Sequence, residues 1–138
     1  MTMKFNTETI RLMILFENLT GAAVKDCIVD EDTICFVIEE GKLGIAIGKN
    51  GNSVKNAENM INKTIKLFEF SSDLSTFVKN LIPKATSVTI NNDGDKVIIE
   101  IKVERNDRPL VIGRDGKNLK MFKELLKRSY NVSDLIIR

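Results

Sequence analysis

The apolar positions of the chain fall into two successive series of the same kind. Over residues 8–19, Leu12, Leu15, Phe16 and Leu19 share one face at helical spacing, while Ile10, Met13 and Ile14 cover another. This pattern predicts a helix capped by Asn6 or Thr7 and buried on two sides. Over 73–81, Leu74, Phe77, Val78 and Leu81 keep the i, i+3, i+4, i+7 spacing until Pro83 stops the helix. A hairpin is expected after each: 24–29 and 33–39 flank Asp30-Glu31-Asp32, and 86–91 and 96–104 flank Asn92-Asp93-Gly94-Asp95. Short apolar helical turns (43–47 and 109–112), amphipathic helices (52–62 and 117–128) and closing strands (64–70 and 134–137) complete both series. The order helix, strand, strand, helix, helix, strand is therefore expected twice.

The repetition extends to the residues themselves. A shift of 65 places Ile47-Gly48-Lys49-Asn50-Gly51 on Ile112-Gly113-Arg114-Asp115-Gly116. Val54 and Lys55 then fall on Leu119 and Lys120, Ile61 on Leu126, and Ile34, Phe36 and Ile38 on Ile99, Ile101 and Val103. Two modules are expected, 1–71 and 72–138. Only Ser71-Ser72 joins them, which predicts a fixed arrangement rather than independent tumbling.

Composition narrows the chemistry. The chain has 138 residues, 43% of them hydrophobic, and no histidine. The lack of histidine excludes Ser-His-Asp and Cys-His nucleophile arrangements and Cys₂His₂ zinc sites. Cys27 and Cys35 alone cannot hold a structural zinc. The polar Met1–Lys4 start and the absence of a long apolar run lead us to expect a cytoplasmic protein with reduced thiols and no membrane partner. Net charge is only +2 but uneven: residues 1–83 carry −2 and residues 84–138 carry +4. Acidic clusters at Asp30-Glu31-Asp32 and Glu39-Glu40 fall at hairpin ends and read as solvated turns. Gly44-x-x-x-Gly48-Lys49 echoes a phosphate-binding P-loop, but its spacing is one short and Asn50 replaces the magnesium-holding Ser/Thr. No catalytic residue, metal ligand or cofactor is expected, and the protein reads as a non-enzyme.

A single Gly-x-x-Gly carries little information, since roughly half a match arises by chance in a chain of this length and glycine usage. Gly41-Lys42-Leu43-Gly44 has no counterpart in the second series and reads as a strand-to-helix connection. The loops at 48–51 and 113–116 differ from it because their context repeats. Terminal glycines permit a tight turn and let a ligand backbone approach. The helix that follows turns N–H groups toward the loop, an arrangement that favours phosphate. Lys49 and Arg114 add cations at one loop position, and Lys55 and Lys120 sit a turn further on.

On these residues both halves resemble KH domains, whose Gly-x-x-Gly loop clamps about four nucleotides of single-stranded nucleic acid. The leading helix and strand match the type II variant. The tandem, with Phe77-Val-Lys-Asn-Leu-Ile-Pro83 between modules and the ending Ser133-Asp-Leu-Ile-Ile-Arg138, is similar to the short archaeal NusA-like transcription factors. The resemblance implies an α+β fold of two tandem type II KH modules, each a small three-stranded mixed sheet packed on helices. It implies RNA binding by Gly48, Lys49, Asn50, Gly51 and Lys55 and by Gly113, Arg114, Asp115, Gly116 and Lys120. Ile47, Val54, Ile112 and Leu119 would line base-facing grooves. Asp115 should turn its carboxylate away from the ligand or cap the next helix. The implied partner is single-stranded RNA, bound by a monomer in transcription termination or antitermination. RNA polymerase or a transcription complex is the second implied partner, although the polymerase-binding and S1 regions of the bacterial form have no counterpart in these residues. The other reading is a KH-type scaffold or ribosome-associated RNA-binding protein. With Tyr130 the only tyrosine and no tryptophan, recognition would not rest on an aromatic stacking platform.

Overall fold

The computed structural model describes residues 6–138, which divide into two compact units meeting between Ser71 and Ser72. Among them, no helix is long and apolar enough to cross a membrane. The polar start at Met1–Lys4 lies outside the described residues.

The first unit runs α1 (Thr7–Thr20), β1 (Val24–Val29), β2 (Thr33–Ile38), α2 (Leu43–Ile47), α3 (Asn52–Ile61) and β3 (Thr64–Glu69). Asn6 is the α1 cap: its side-chain oxygen accepts the Thr9 N–H at 2.8 Å. β1 and β2 form the antiparallel hairpin, and α2–α3 cross over to bring β3 parallel to β2, giving the order β1-β2-β3. Ile34, Phe36 and Ile38 alternate toward the helices, where Phe36 stacks on Phe16 at 4.4 Å. Two α–β junctions are tied by carboxylates. Glu17 accepts the Val24 N–H and Glu58 the Ile65 N–H, at 2.8 and 2.9 Å.

One expectation fails here. Ile10 and Ile14 are 44% and 51% exposed, so α1 is buried on one side only. Phe16, Leu12, Met13 and Leu19 supply the α1 share of the core.

The second unit has the same order: α4 (Leu74–Leu81), β4 (Ala85–Asp93), β5 (Lys96–Val103), α5 (Arg108–Ile112), α6 (Lys117–Tyr130) and β6 (Asp134–Ile137). Its sheet is again antiparallel then parallel, β4-β5-β6. Asp73 caps α4, accepting from both the hydroxyl and the backbone N–H of Thr76, and these bonds hold its carboxyl below the usual carboxylate range. Asp93 pairs with Lys96, so the hairpin turn is the two residues Gly94-Asp95, shorter than the four-residue turn expected. α6 outlasts its expected end at 128. An i,i+4 pair of Arg128 with Glu124 at 3.2 Å supports the last turns, and Tyr130 reaches the Phe77 ring at 6.0 Å.

Cys27 and Cys35 remain thiols. Cys27 lies opposite Phe36 and Cys35 opposite Ile28, so they occupy opposite faces of the sheet and cannot pair. Burial pushes the Cys35 thiol up to about 11.

Candidate nucleic-acid interface

Each candidate loop joins a short helix to an amphipathic one, and the two take the same backbone path. Gly48 has φ 77° and ψ 172°; Gly113 has 80° and 169°. Asn50 has φ 55° and ψ 26°, and Asp115 57° and 24°. Gly51 and Gly116 follow at φ 74° and 73°. Hydrogen bonds close both turns alike: Gly51 N–H donates to the Gly48 carbonyl and Gly116 N–H to the Gly113 carbonyl, each at 3.1 Å.

The two glycines of a loop have different duties. A side chain at Gly48 would place its Cβ 2.7 Å from the Ser53 Cβ and 2.8 Å from the Ser53 backbone nitrogen. At Gly113 it would meet the Asn118 side chain at 2.9 Å and its backbone nitrogen at 3.0 Å. The first glycine is thus required by packing onto the following helix as well as by its dihedrals. The second faces open space, with only the Lys55 Cε at 3.9 Å from Gly51 and nothing near Gly116.

Between them sits a residue in the left-handed region, which Asn and Asp tolerate best. This accounts for Asp115 in a loop otherwise suited to anions. It does not cap α6, whose cap residue is Gly116 with no side-chain bond. Part of the N–H supply expected for a ligand is used internally, because Asn52 N–H donates to the Lys49 carbonyl and Lys117 N–H to that of Arg114. Lys49, Asn50, Lys55, Arg114, Asp115 and Lys120 are all exposed, so both loops present their cations to solvent.

Of the residues named for a groove, Ile47 is exposed and Val54, Ile112 and Leu119 are half-buried, with Val54 packed against the first core. The apolar cleft that exists in the second unit, about 250 Å³, is lined by other residues: Leu81, Ile82, Pro83, Lys84, Leu110, Val111 and Phe122. It lies between α5 and the α4–β4 turn, with Lys84 paired to Asp107 at 3.5 Å. Leu110 is 67% exposed there. Its counterpart 65 residues earlier, Ile45, is 47% exposed, and a Cβ on Gly21 of the α1–β1 turn would lie 3.9 Å from it. Sequence reasoning missed Ile45 and Leu110. The 65-residue register aligns them, but nothing in the pattern marks either as solvent-facing.

A helix–strand–strand–helix–helix–strand unit with a glycine loop between its paired helices defines the KH class, and the KH domain family matches residues 11–78. Its relatives include archaeal proteins. The chain is 37% identical to "Probable transcription termination protein NusA" of Methanococcus vannielii, covering 98% of this chain and 79% of that protein. It is 32% identical to the protein of the same name from Halococcus morrhuae, over 98% of each. The crystal structure of APE1850 is similar at 34% identity and a TM-score of 0.78, over 97% of this chain and 100% of that one. The chain belongs to the NusA-like family of KH-domain proteins.

Proposed function

We propose that this protein binds single-stranded RNA through two Gly-x-x-Gly clamps, one per unit, and acts on nascent transcripts in termination or antitermination. In this reading both units are type II KH modules, and no catalytic step is involved. The observation that carries it is the matched backbone of the two loops, each with an exposed cation at its second position. Two loops held within a few degrees of each other, one dihedral pair strained in each, are a shared constraint that helix connection alone does not demand. Phosphate oxygens would sit over Gly51 and Gly116, where no side chain intervenes, beside Lys49 and Arg114. Lys55 and Lys120 extend the positive potential by one turn. Bases would turn toward the aliphatic surface of the preceding helix, with Ile47 and Ile112 near the loop and Ile45 and Leu110 further back. In the second unit the cleft beside Leu110 offers an apolar wall for one base. The names of the relatives supply the transcriptional context and make a transcription complex the candidate protein partner.

The test is RNA binding by loop variants of the full chain. At about four nucleotides per clamp, an RNA of eight to twelve nucleotides engages both loops. Replacing Lys49-Asn50 by Asp-Asp, or Arg114 by Asp, is expected to weaken a twelve-nucleotide RNA more than about tenfold, because the linked second contact is lost. Duplex RNA should bind more weakly than single strand. If either loop can be disabled without loss on the long RNA, that unit is structural and the tandem clamp is wrong. Retained binding to a ribosomal component in a chain blind to RNA would favour the scaffold reading.

A further inference from the structure

Behind each clamp, where α3 or α6 ends and the closing strand begins, lies a second cleft. The two lie at the same place in each unit, draw on partly different residues and carry opposite charge. In the first unit the cleft, about 440 Å³, is lined by Glu31, Asp32 and Glu58 with one cation, Lys63. In the second, about 180 Å³, Lys120, Lys123 and Lys127 face Glu124 and Asp134. The carboxylates of the second cleft are already engaged. Glu124 pairs with Arg128 at 3.2 Å and Asp134 with Lys123 at 3.1 Å, a bond that holds the Asp134 carboxyl below the usual carboxylate range. Among the described residues no ion pair engages Lys120 or Lys127, and both are exposed.

These two lysines lie seven residues apart on α6, two turns or about 10 Å along its axis. Lys120 also stands one turn beyond Gly116, so the clamp and the cleft share a residue. In the first unit α3 ends at Ile61, and Glu58 occupies the place that Lys123 holds in the second. Building on the RNA-clamp reading, we infer that the second unit carries a phosphate track along α6 that continues past its clamp. Single-stranded RNA leaving the 113–116 loop follows Lys120 to Lys127, whereas RNA leaving the 48–51 loop meets an acidic cleft and is turned away. The tandem is therefore asymmetric: its second clamp reads a longer stretch of backbone than its first.

The experiment uses the full chain in two backgrounds, each leaving one clamp working. With the first clamp disabled (Lys49→Asp with Asn50→Asp), an eight-nucleotide RNA should bind at least about threefold tighter than a four-nucleotide one, and its log K against log salt should be steeper by about 1.4 for two added phosphates. Lys127→Glu should remove that gain and leave four-nucleotide binding unchanged, and Lys127→Gln should remove part of it without adding a carboxylate beside Lys123. With the second clamp disabled (Arg114→Asp), the length gain should be absent. An equal length gain in both backgrounds, or a gain that ignores Lys127, would overturn the track. So would an acidic peptide (polyglutamate) that binds in a Lys127-dependent way while RNA length has no effect, since that assigns the cleft to a protein segment. Should four-nucleotide RNA fail to bind in either background, the clamp reading and the track fall together. A gain confined to longer RNA is what separates the two claims.

Discussion

The two units share an element order and a loop backbone, yet their middle strands differ in exposure. In the first, the middle strand is buried on both faces: Ile34, Phe36 and Ile38 inward, Cys35 and Val37 outward, with Val37 at 0% exposure. In the second, Ile99 and Ile101 are buried inward while Lys102 of β5 and Ser87, Thr89 and Asn91 of the paired strand lie open. Glu100 on that outer face pairs with Arg138 at 3.0 Å. The helices behind the loops diverge too. α3 stops at Ile61, leaving Met60 65% exposed, whereas α6 continues to Tyr130 and buries Leu125, the residue in register with Met60, completely. What the units have in common is the loop and its supports. The surfaces away from the loop differ, because the shared loop backbone needs only the turn, the helix behind it and enough core to hold both.

That contrast can be broken most forcefully at the sheets. Val37→Asp would bury an unpaired carboxylate and should cost about 3–5 kcal/mol, while Thr89→Asp on the open face, opposite Glu100, should cost only about 1 kcal/mol. Urea unfolding of the two variants measures the difference, and equal losses would mean the outer faces are alike in solution. The helices give the next effect. Leu125→Ala should cost about 2–4 kcal/mol and Met60→Ala less than about 0.5, read from the same denaturation curves.

Within the loops, Gly48→Ala and Gly113→Ala should each destabilise by about 1–3 kcal/mol, through the clash with residue 53 or 118 added to a strained φ. Gly51→Ala and Gly116→Ala meet no neighbour and should cost about 1 kcal/mol. Matching losses at 48 and 113 would sharpen the claim that the loops are equivalent, and unequal ones would break it.

At neutral pH the last effect is silent, because it depends on pH. The Cys35 thiol is raised from 9.0 to about 11, chiefly by burial, so the folded protein holds that proton longer than the unfolded chain does. The resulting stability is fully present below pH 9 and lost as pH rises toward 11. Unfolding midpoints over that range should fall in the parent chain and flatten in Cys35→Ala. At neutral pH the thiol should resist alkylation until the protein unfolds.

Much of this was readable in the chain. Local signals carried the elements: Asn6 as a cap, Pro83 as a stop, and the 65-residue register that joined one loop to the other, whereas Asp73 was read as the first helical residue and proves to be the cap. Ends were read less well where a residue acts through its conformation. Asn62 and Asn131 close α3 and α6 in the left-handed region, and an asparagine announces that weakly compared with glycine. Asp115 was legible as an oddity but not as the partner of Asn50 in the same left-handed slot.

The sequence by itself determined the order of the elements, the position of both loops and the cations they carry, because these depend on neighbours a few residues away. Tertiary structure decided which apolar residues stayed outside. Ile10 and Ile14 have the composition of a buried face, yet both lie exposed; Ile45 and Leu110 are aliphatic residues left in the open beside the loops. It also decided that Lys120 and Lys127 share a cleft while Glu31, Asp32 and Glu58 share its counterpart. Burial and clustering are sums over residues distant in the chain, and a periodic pattern records only which side of an element a residue occupies, not whether anything covers that side.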